Sequence, residues 1–182
     1  MDNQQVLQKY LGDMHALESH IQTAIDKQVK LAENDAEAKQ KFAEISGTLK
    51  GHLSALEQRL EALGGSATSP VKEAGAAVLG VGAGLIDKMR AEEISKDLRD
   101  DYTALNHSVI SYIMLNATAL ALGDQQTADL AERNVKDNAG FVVWINNNMP
   151  KFVIKDLQDS GASIDQSAVE ASQAAVKRLW NQ

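Results

Sequence analysis

A seven-residue repeat of mostly apolar side chains at the start of the chain is the feature that most restricts its fold. Leu7, Met14, Ile21 and Gln28 occupy one register, and a second register begins three residues later at Tyr10. This spacing is the a/d pattern of a helix with one buried stripe, and it predicts an amphipathic helix over about residues 3–33. Asn34-Asp35 is typical of a turn, with Asp35 as the N-cap of a second helix that ends at Gly64-Gly65. Two long helices joined by so short a turn must pack antiparallel.

A second helical hairpin follows a loop at residues 64–70 and an apolar stretch from Val71 to about Lys88. Gly123 is predicted to end its first helix, Asp124 to start its second, and Pro150 to mark the end of that helix. The sequence pattern changes after Pro150, and a last helix is predicted over 166–180. The sequence therefore predicts an all-α fold: a ferritin-like four-helix bundle over 1–150, made of two antiparallel hairpins with a long crossover, and a C-terminal segment, 151–182, that packs on the bundle or on a partner.

Composition excludes several classes of function. The chain has 182 residues, a formal net charge of −7 and no cysteine. A moderately acidic chain argues against nucleic-acid binding, and the lack of cysteine excludes disulfides and thiolate sites. The N-terminus lacks a basic region followed by an apolar run, so we expect a cytoplasmic protein. The longest weakly polar stretch, Ala74 to Ile86, is too short to span a bilayer, so no stable membrane insertion is expected.

Polar residues at predicted core positions are the candidate site. If the first hairpin turns near residues 34–35, the numbers of facing residues sum to about 70, as 18 and 52 do, so Glu18 and His52 should face each other at mid-depth. In the second hairpin, Asn106 falls opposite the stretch from Asp137 to Phe141, in which Asp137 and Asn138 are polar. Each pair is either a set of metal ligands or a buried hydrogen-bonded group, because burying both partners of a hydrogen bond offsets the loss of water.

The helical segments resemble the YciF-like family of ferritin-like stress proteins. The opening stretch LGDMHALESHIQTAI is similar to that family's first helix, in the pattern L-x-D-x-x-x-x-E carried by Leu11, Asp13 and Glu18. GHLSALEQRLEALGG is similar to the second helix, DDYTALNHSVISYIMLNATALALGD to the third and TADLAERNVKDNAGF to the fourth. The resemblance implies metal positions at Glu18, His52, Asn106 and Asp137, of which Asn106 replaces a family Glu. It also implies a bacterial cytoplasmic protein, often a dimer, linked to stress.

The ligand set is short for a di-iron centre. Such bundles use a Glu from each of two helices and a Glu-x-x-His pair from each of the other two. Here Leu49 stands three residues before His52, and Gly140 three residues after Asp137. We therefore expect a non-catalytic protein without a cofactor that acts by self-association or partner binding. The alternative is a protein that binds iron or another divalent metal, or an oxidase, that uses Glu18 and His52.

Other features of the sequence favour structural roles. His15 could add a ligand one turn from Glu18, but a solvated surface histidine is the simpler interpretation, and His107 points away from the predicted core. Gly80-Val81-Gly82-Ala83-Gly84 lacks the strand and spacing of a dinucleotide loop and favours close packing of the crossover. The charged run over residues 90–101 is typical of a solvated helix face.

Overall fold

The computed structural model describes residues 2–66 and 93–180, which form five helices. They are α1 (Asn3–Leu31), α2 (Ala36–Ala62), α3 (Ile94–Ala121), α4 (Gln125–Asp159) and α5 (Ala168–Trp180). No strand occurs in these two ranges, so the predicted all-α bundle is confirmed. The crossover predicted from Val71 to Lys88 and the glycines from Gly80 to Gly84 lie outside the described residues.

The helix boundaries follow from capping chemistry that the sequence shows. Asp35 accepts a hydrogen bond from the Ala38 amide at 2.9 Å, and Asp124 accepts one from the Thr127 amide at 3.0 Å. Each carboxylate satisfies an amide that the first helical turn leaves without a partner. Gly123 has φ +76°, a left-handed conformation that side chains with a Cβ rarely adopt, and this ends α3. The predicted turns at 34–35 and 123–124 are thus confirmed.

The two hairpins α1–α2 and α3–α4 pack against each other mainly through α1 and α3. Their shared interior is aliphatic with a few rings, and it is nearly closed to solvent: Leu11, Met14, Ile21, Ile25, Phe42, Ile45, Leu49, Leu56, Leu98, Leu105, Tyr112, Leu115, Ile145 and Phe152. At one end of the bundle Arg59 of α2 donates to Thr127 at 2.8 Å and to Gln126 at 2.7 Å, which ties α2 to the start of α4. This packing fixes the depth at which each helix presents its polar residues.

Pro150 does not end the fourth helix, so that prediction is wrong. α4 continues through Pro150 to Asp159, with Pro150 and Phe152 both buried. An interior proline costs about 3 kcal/mol because it removes an amide donor and crowds the preceding turn. Contacts beyond the proline offset this cost: Lys155 binds Asp35, and Asp156 accepts a hydrogen bond from the Ser95 amide at the start of α3. Tertiary contacts thus outweigh the local effect of proline.

The C-terminal helix is present and packs on α4. It begins at Ala168, two residues later than the predicted 166, and reaches Trp180. None of the helices within 2–66 and 93–180 combines the length and the apolar character that a bilayer span requires.

Candidate functional site

The Glu18 carboxylate is the centre of a polar layer inside the bundle. Glu18 has no solvent exposure, and it accepts hydrogen bonds from His52 Nδ1 at 3.2 Å, Ser108 Oγ at 2.6 Å and Asn138 Nδ2 at 2.9 Å. Each donor comes from a different helix, α2, α3 and α4 respectively. The predicted contact between Glu18 and His52 is therefore confirmed. These donors replace water around the carboxylate and so lower the cost of its burial.

His52 lies between two carboxylates. Its Nε2 is 3.3 Å from Oδ2 of Asp137, whose side chain is half exposed at the edge of the layer. Burial alone would lower the pKa of His52, but the hydrogen bonds and charges of Glu18 and Asp137 outweigh it, and the net shift of the pKa is upward. Both ring nitrogens face acceptors, so the arrangement favours the doubly protonated imidazolium.

Tyr112 and two asparagines extend the layer along α3 and α4. Asn134 Nδ2 donates to the Tyr112 hydroxyl at 2.9 Å, and Asn138 Nδ2 also donates to Ser108 at 2.9 Å. Burial and the charge of Glu18 raise the pKa of Tyr112 well above its usual range, so this hydroxyl stays protonated. The Tyr112 ring also meets the His52 ring edge to face, with centroids 6.1 Å apart. Of the polar atoms in this layer, Asn138 Oδ1 has no hydrogen-bond partner among the described residues.

The four residues predicted to ligate a metal occupy different environments. Glu18 and His52 are in the layer, and Asp137 touches it from the edge. Asn106 was predicted to face the interior, and this is wrong: it is partly exposed and donates to the Tyr102 carbonyl of its own helix. The residues of α3 that enter the layer are Ser108 and Tyr112.

Ser108, Tyr112 and Asn134 were missed by the sequence analysis. The available signal was the spacing of Leu105, Ser108, Tyr112 and Leu115, which share one face of α3 and are all buried. A small hydroxyl residue within an apolar stripe is easily interpreted as a packing residue. The role of Ser108 in the layer is evident only from its hydrogen bond to Glu18.

The remaining histidines lie outside the layer. His15 pairs with Glu57 at 3.0 Å on the surface between α1 and α2, so it does not join Glu18. His107 is exposed, as predicted, and His20 is partly buried.

The arrangement of this polar layer suits hydrogen bonding between its side chains better than the binding of a metal ion. The two nitrogens of His52 point away from each other, so Glu18 and Asp137 cannot share one ion with it. Across the part of the chain that the structure describes, no three His, Cys, Asp or Glu side chains are placed to hold a metal ion. The two His52 nitrogens, which are the atoms of this residue that could bind a metal, each already contact a carboxylate.

Comparisons with known proteins agree with the fold. The family model described as "Domain of unknown function (DUF892)" matches residues 2–158. A crystal structure of a protein from Xanthomonas campestris pv. campestris is similar over 88% of this chain and 99% of its own, with a TM-score of 0.73 and 19% sequence identity. At this identity the likeness concerns the fold alone. No curated protein matches the chain.

Proposed function

This chain belongs to the DUF892 family, which is ferritin-like, and we propose that it is a non-catalytic, stress-associated member of the YciF-like type. In this proposal the polar layer replaces a di-metal centre and serves as a structural core, and the protein acts by self-association or partner binding. The observation that supports it is the use of both His52 nitrogens by carboxylates, Glu18 on one side and Asp137 on the other.

The residues present do not fit a di-iron centre. The carboxylate bundles that hold two ions take Glu-x-x-His pairs from two helices. The inward pairs at this depth are Leu49 and His52 in α2, and Asn138 and Phe141 in α4, all of which are buried. Ser108 takes the place that a third helix would give to a Glu. One buried carboxylate and one imidazole cannot supply the charge and the donor atoms that two divalent ions need.

An exposed apolar stripe on α3 supports self-association. Ile110, Ile113, Met114 and Leu120 are each about half exposed on the outer side of this helix. Contiguous apolar surface of this kind marks interaction sites in soluble proteins, and symmetric dimers are the commonest assemblies. A second copy of the chain is therefore the partner we propose for this stripe.

Metal binding at the layer is the second candidate. Two observations favour it: Glu18 and Asp137 both approach His52, and Asn138 Oδ1 lacks a partner within the described residues. An ion there would have to displace the proton of His52, since only the neutral imidazole binds metals.

Metal retention distinguishes the two candidates. The protein would be incubated anaerobically with Fe(II), and separately with Zn(II) or Mn(II), desalted and analysed for metal per chain. The double variant Glu18→Gln, His52→Gln removes the candidate ligands, and His15→Gln is a matched control for loss of a histidine. We expect equal metal content in all three proteins. Metal that is bound by the wild type and by His15→Gln but lost in the double variant would instead support the second candidate.

Light scattering after size-exclusion chromatography tests self-association. Ile113→Glu places a charge in the α3 stripe, and Thr103→Glu places one on an exposed position of the same helix. We expect the wild type and Thr103→Glu to be dimers and Ile113→Glu to be a monomer. A monomeric wild type, or a dimer that persists in Ile113→Glu, would refute the proposed use of the stripe.

A further inference from the structure

A second buried polar cluster lies near the start of α3, separate from the layer around Glu18. Asp97 and Asp101 are one turn apart and both buried, and Gln28 of α1 donates from Nε2 to Asp101 Oδ1 at 2.9 Å. Gln28 is ten residues beyond Glu18, which is about 15 Å along α1. The two clusters are therefore different sites.

Two oxygens of this second cluster have no hydrogen-bond partner in the described part of the chain. They are Asp101 Oδ2 and Gln28 Oε1, and their residues are only 4% and 3% exposed. Buried polar atoms are almost always paired, because an unpaired one costs about 1–3 kcal/mol. The two groups are hydrogen-bonded to each other through their other atoms, so both orphaned oxygens belong to one small region.

Beyond the effect of burial, the charged side chains that raise the pKa values of Asp97 and Asp101 are all carboxylates, one of which, Asp100, is paired with Arg99. Asp100 and Asp97 act electrostatically on Asp101, and Asp100 and Asp156 act on Asp97. Lys155 lines the nearby cleft but is paired with Asp35. A buried acid in such surroundings needs either a bound proton or a cation to neutralise it.

We propose that Asp97, Asp101 and Gln28 bind one hard divalent cation of the Ca²⁺, Mg²⁺ or Mn²⁺ type. Carboxylate and amide oxygens are the ligands that these ions prefer, and water commonly completes their coordination. Two carboxylates balance the charge of one divalent ion, and Gln28 Oε1 adds a neutral oxygen. A cleft of about 400 Å³, lined by Glu93, Ile94 and Asp156 among others, lies about one turn before Asp97 along α3.

The cation would join α1 to the start of α3. These helices belong to different hairpins, so an ion between them would hold the two halves of the bundle together at this end. Its binding would therefore raise the thermal stability of the whole chain, since any ligand that binds only the folded state stabilises it.

Calorimetric titration of the EDTA-treated protein with Ca²⁺, Mg²⁺ and Mn²⁺ tests the site. It is done at about pH 8.5, because carboxylate ligands must be deprotonated. Asp101→Asn removes the charged ligand but keeps an oxygen that can accept from Gln28, and Asp129→Asn removes one exposed charge of α4 as the matched control. We expect one ion per chain and a raised Tm in the wild type and in Asp129→Asn, and binding about tenfold or more weaker in Asp101→Asn.

Three results would overturn the proposal. One is no saturable binding of any of these ions up to about 5 mM, near the weak end of protein calcium sites. Another is equal affinity in Asp101→Asn and the wild type. The third is binding that is lost in Glu18→Gln, His52→Gln and kept in Asp101→Asn, which would place the ion in the central layer and refute the proposed function instead. If Asp101→Asn does not fold, Gln28→Met is used in its place with the same expected loss.

Discussion

Removing both partners of the Glu18–His52 pair should cost less stability than the sum of the two single removals. Glu18→Leu leaves His52, Ser108 and Asn138 without their shared acceptor in a place closed to water. His52→Leu leaves a buried carboxylate without its counter-charge. Breaking a buried ion pair from one side costs about 3–5 kcal/mol, whereas replacing the whole pair by apolar residues is often close to neutral. We therefore expect the free energy of unfolding to fall by about 3–5 kcal/mol in each single variant. The fall in the double variant should be smaller than the sum of the two single losses by about 1–3 kcal/mol.

The assay is urea unfolding of the four proteins in the double-mutant cycle. An exposed pair of the same chemistry, His15 and Glu57 at 3.0 Å, provides the control cycle, for which the coupling should stay below about 1 kcal/mol. The pKa of His52 is raised in the folded state, so the stability from its charge is fully present below the unfolded pKa of about 6.5 and is lost as the pH rises through the folded value. The coupling should therefore shrink at alkaline pH. Single losses that add within about 0.5 kcal/mol at pH 6 would refute the reasoning.

Three further changes test other parts of the structure. Burial raises the pKa of Asp101 to about 8, so the folded state holds this proton where the unfolded chain has lost it. In EDTA the free energy of unfolding should fall between about pH 4 and 8, by up to about 1.4 kcal/mol per pH unit from this one proton. Asp101→Asn should show a smaller fall in urea titrations, in which the part due to Asp97, whose pKa is raised to about 6, remains. Equal pH profiles of the free energy of unfolding in the two proteins would contradict this prediction. Tyr112→Phe should cost about 1–3 kcal/mol in the same assay, because Asn134 loses its acceptor, and an unchanged midpoint would argue against that bond. Gly123→Ala should cost about 1 kcal/mol or more at φ +76°, while Gly47→Ala, with open space at its Cβ inside α2, should be neutral or stabilising, and equal effects would refute the turn.

The first hairpin was accessible to sequence reasoning because its turn and its apolar seam are both local signals. Asp35 marks the start of α2, and this fixes the depth of every residue on both helices. Glu18 and His52 could therefore be paired by counting, and the structure confirms their contact.

The second hairpin was harder because α3 is apolar on two sides. Ile110 and Ile113 are exposed, while Leu105, Ser108 and Tyr112 are buried. Periodicity cannot choose between two apolar faces, and the choice is made by the packing of α1 and α4. Asn106 was therefore assigned to the core, and Ser108 was missed.

Pro150 is a second case in which a local sequence signal could not predict the outcome of tertiary packing. Its local effect predicts the end of a helix, but Lys155 and Asp156 make contacts with residues more than 60 positions away. Interactions at that distance in sequence leave no signal near the proline itself.

The protonation state of His52 tests the central claim most directly. The ring nitrogens of ¹⁵N-labelled protein would be followed by NMR over a pH series, with and without about one equivalent of Zn(II), because neutral imidazole is the form that binds metals. The proposed structural layer predicts that His52 is doubly protonated at about pH 6.5, with a pKa above the ordinary value, and that Zn(II) leaves its signals unchanged. A neutral ring whose nitrogen signal shifts on addition of Zn(II) would contradict it and show that the layer is a metal site.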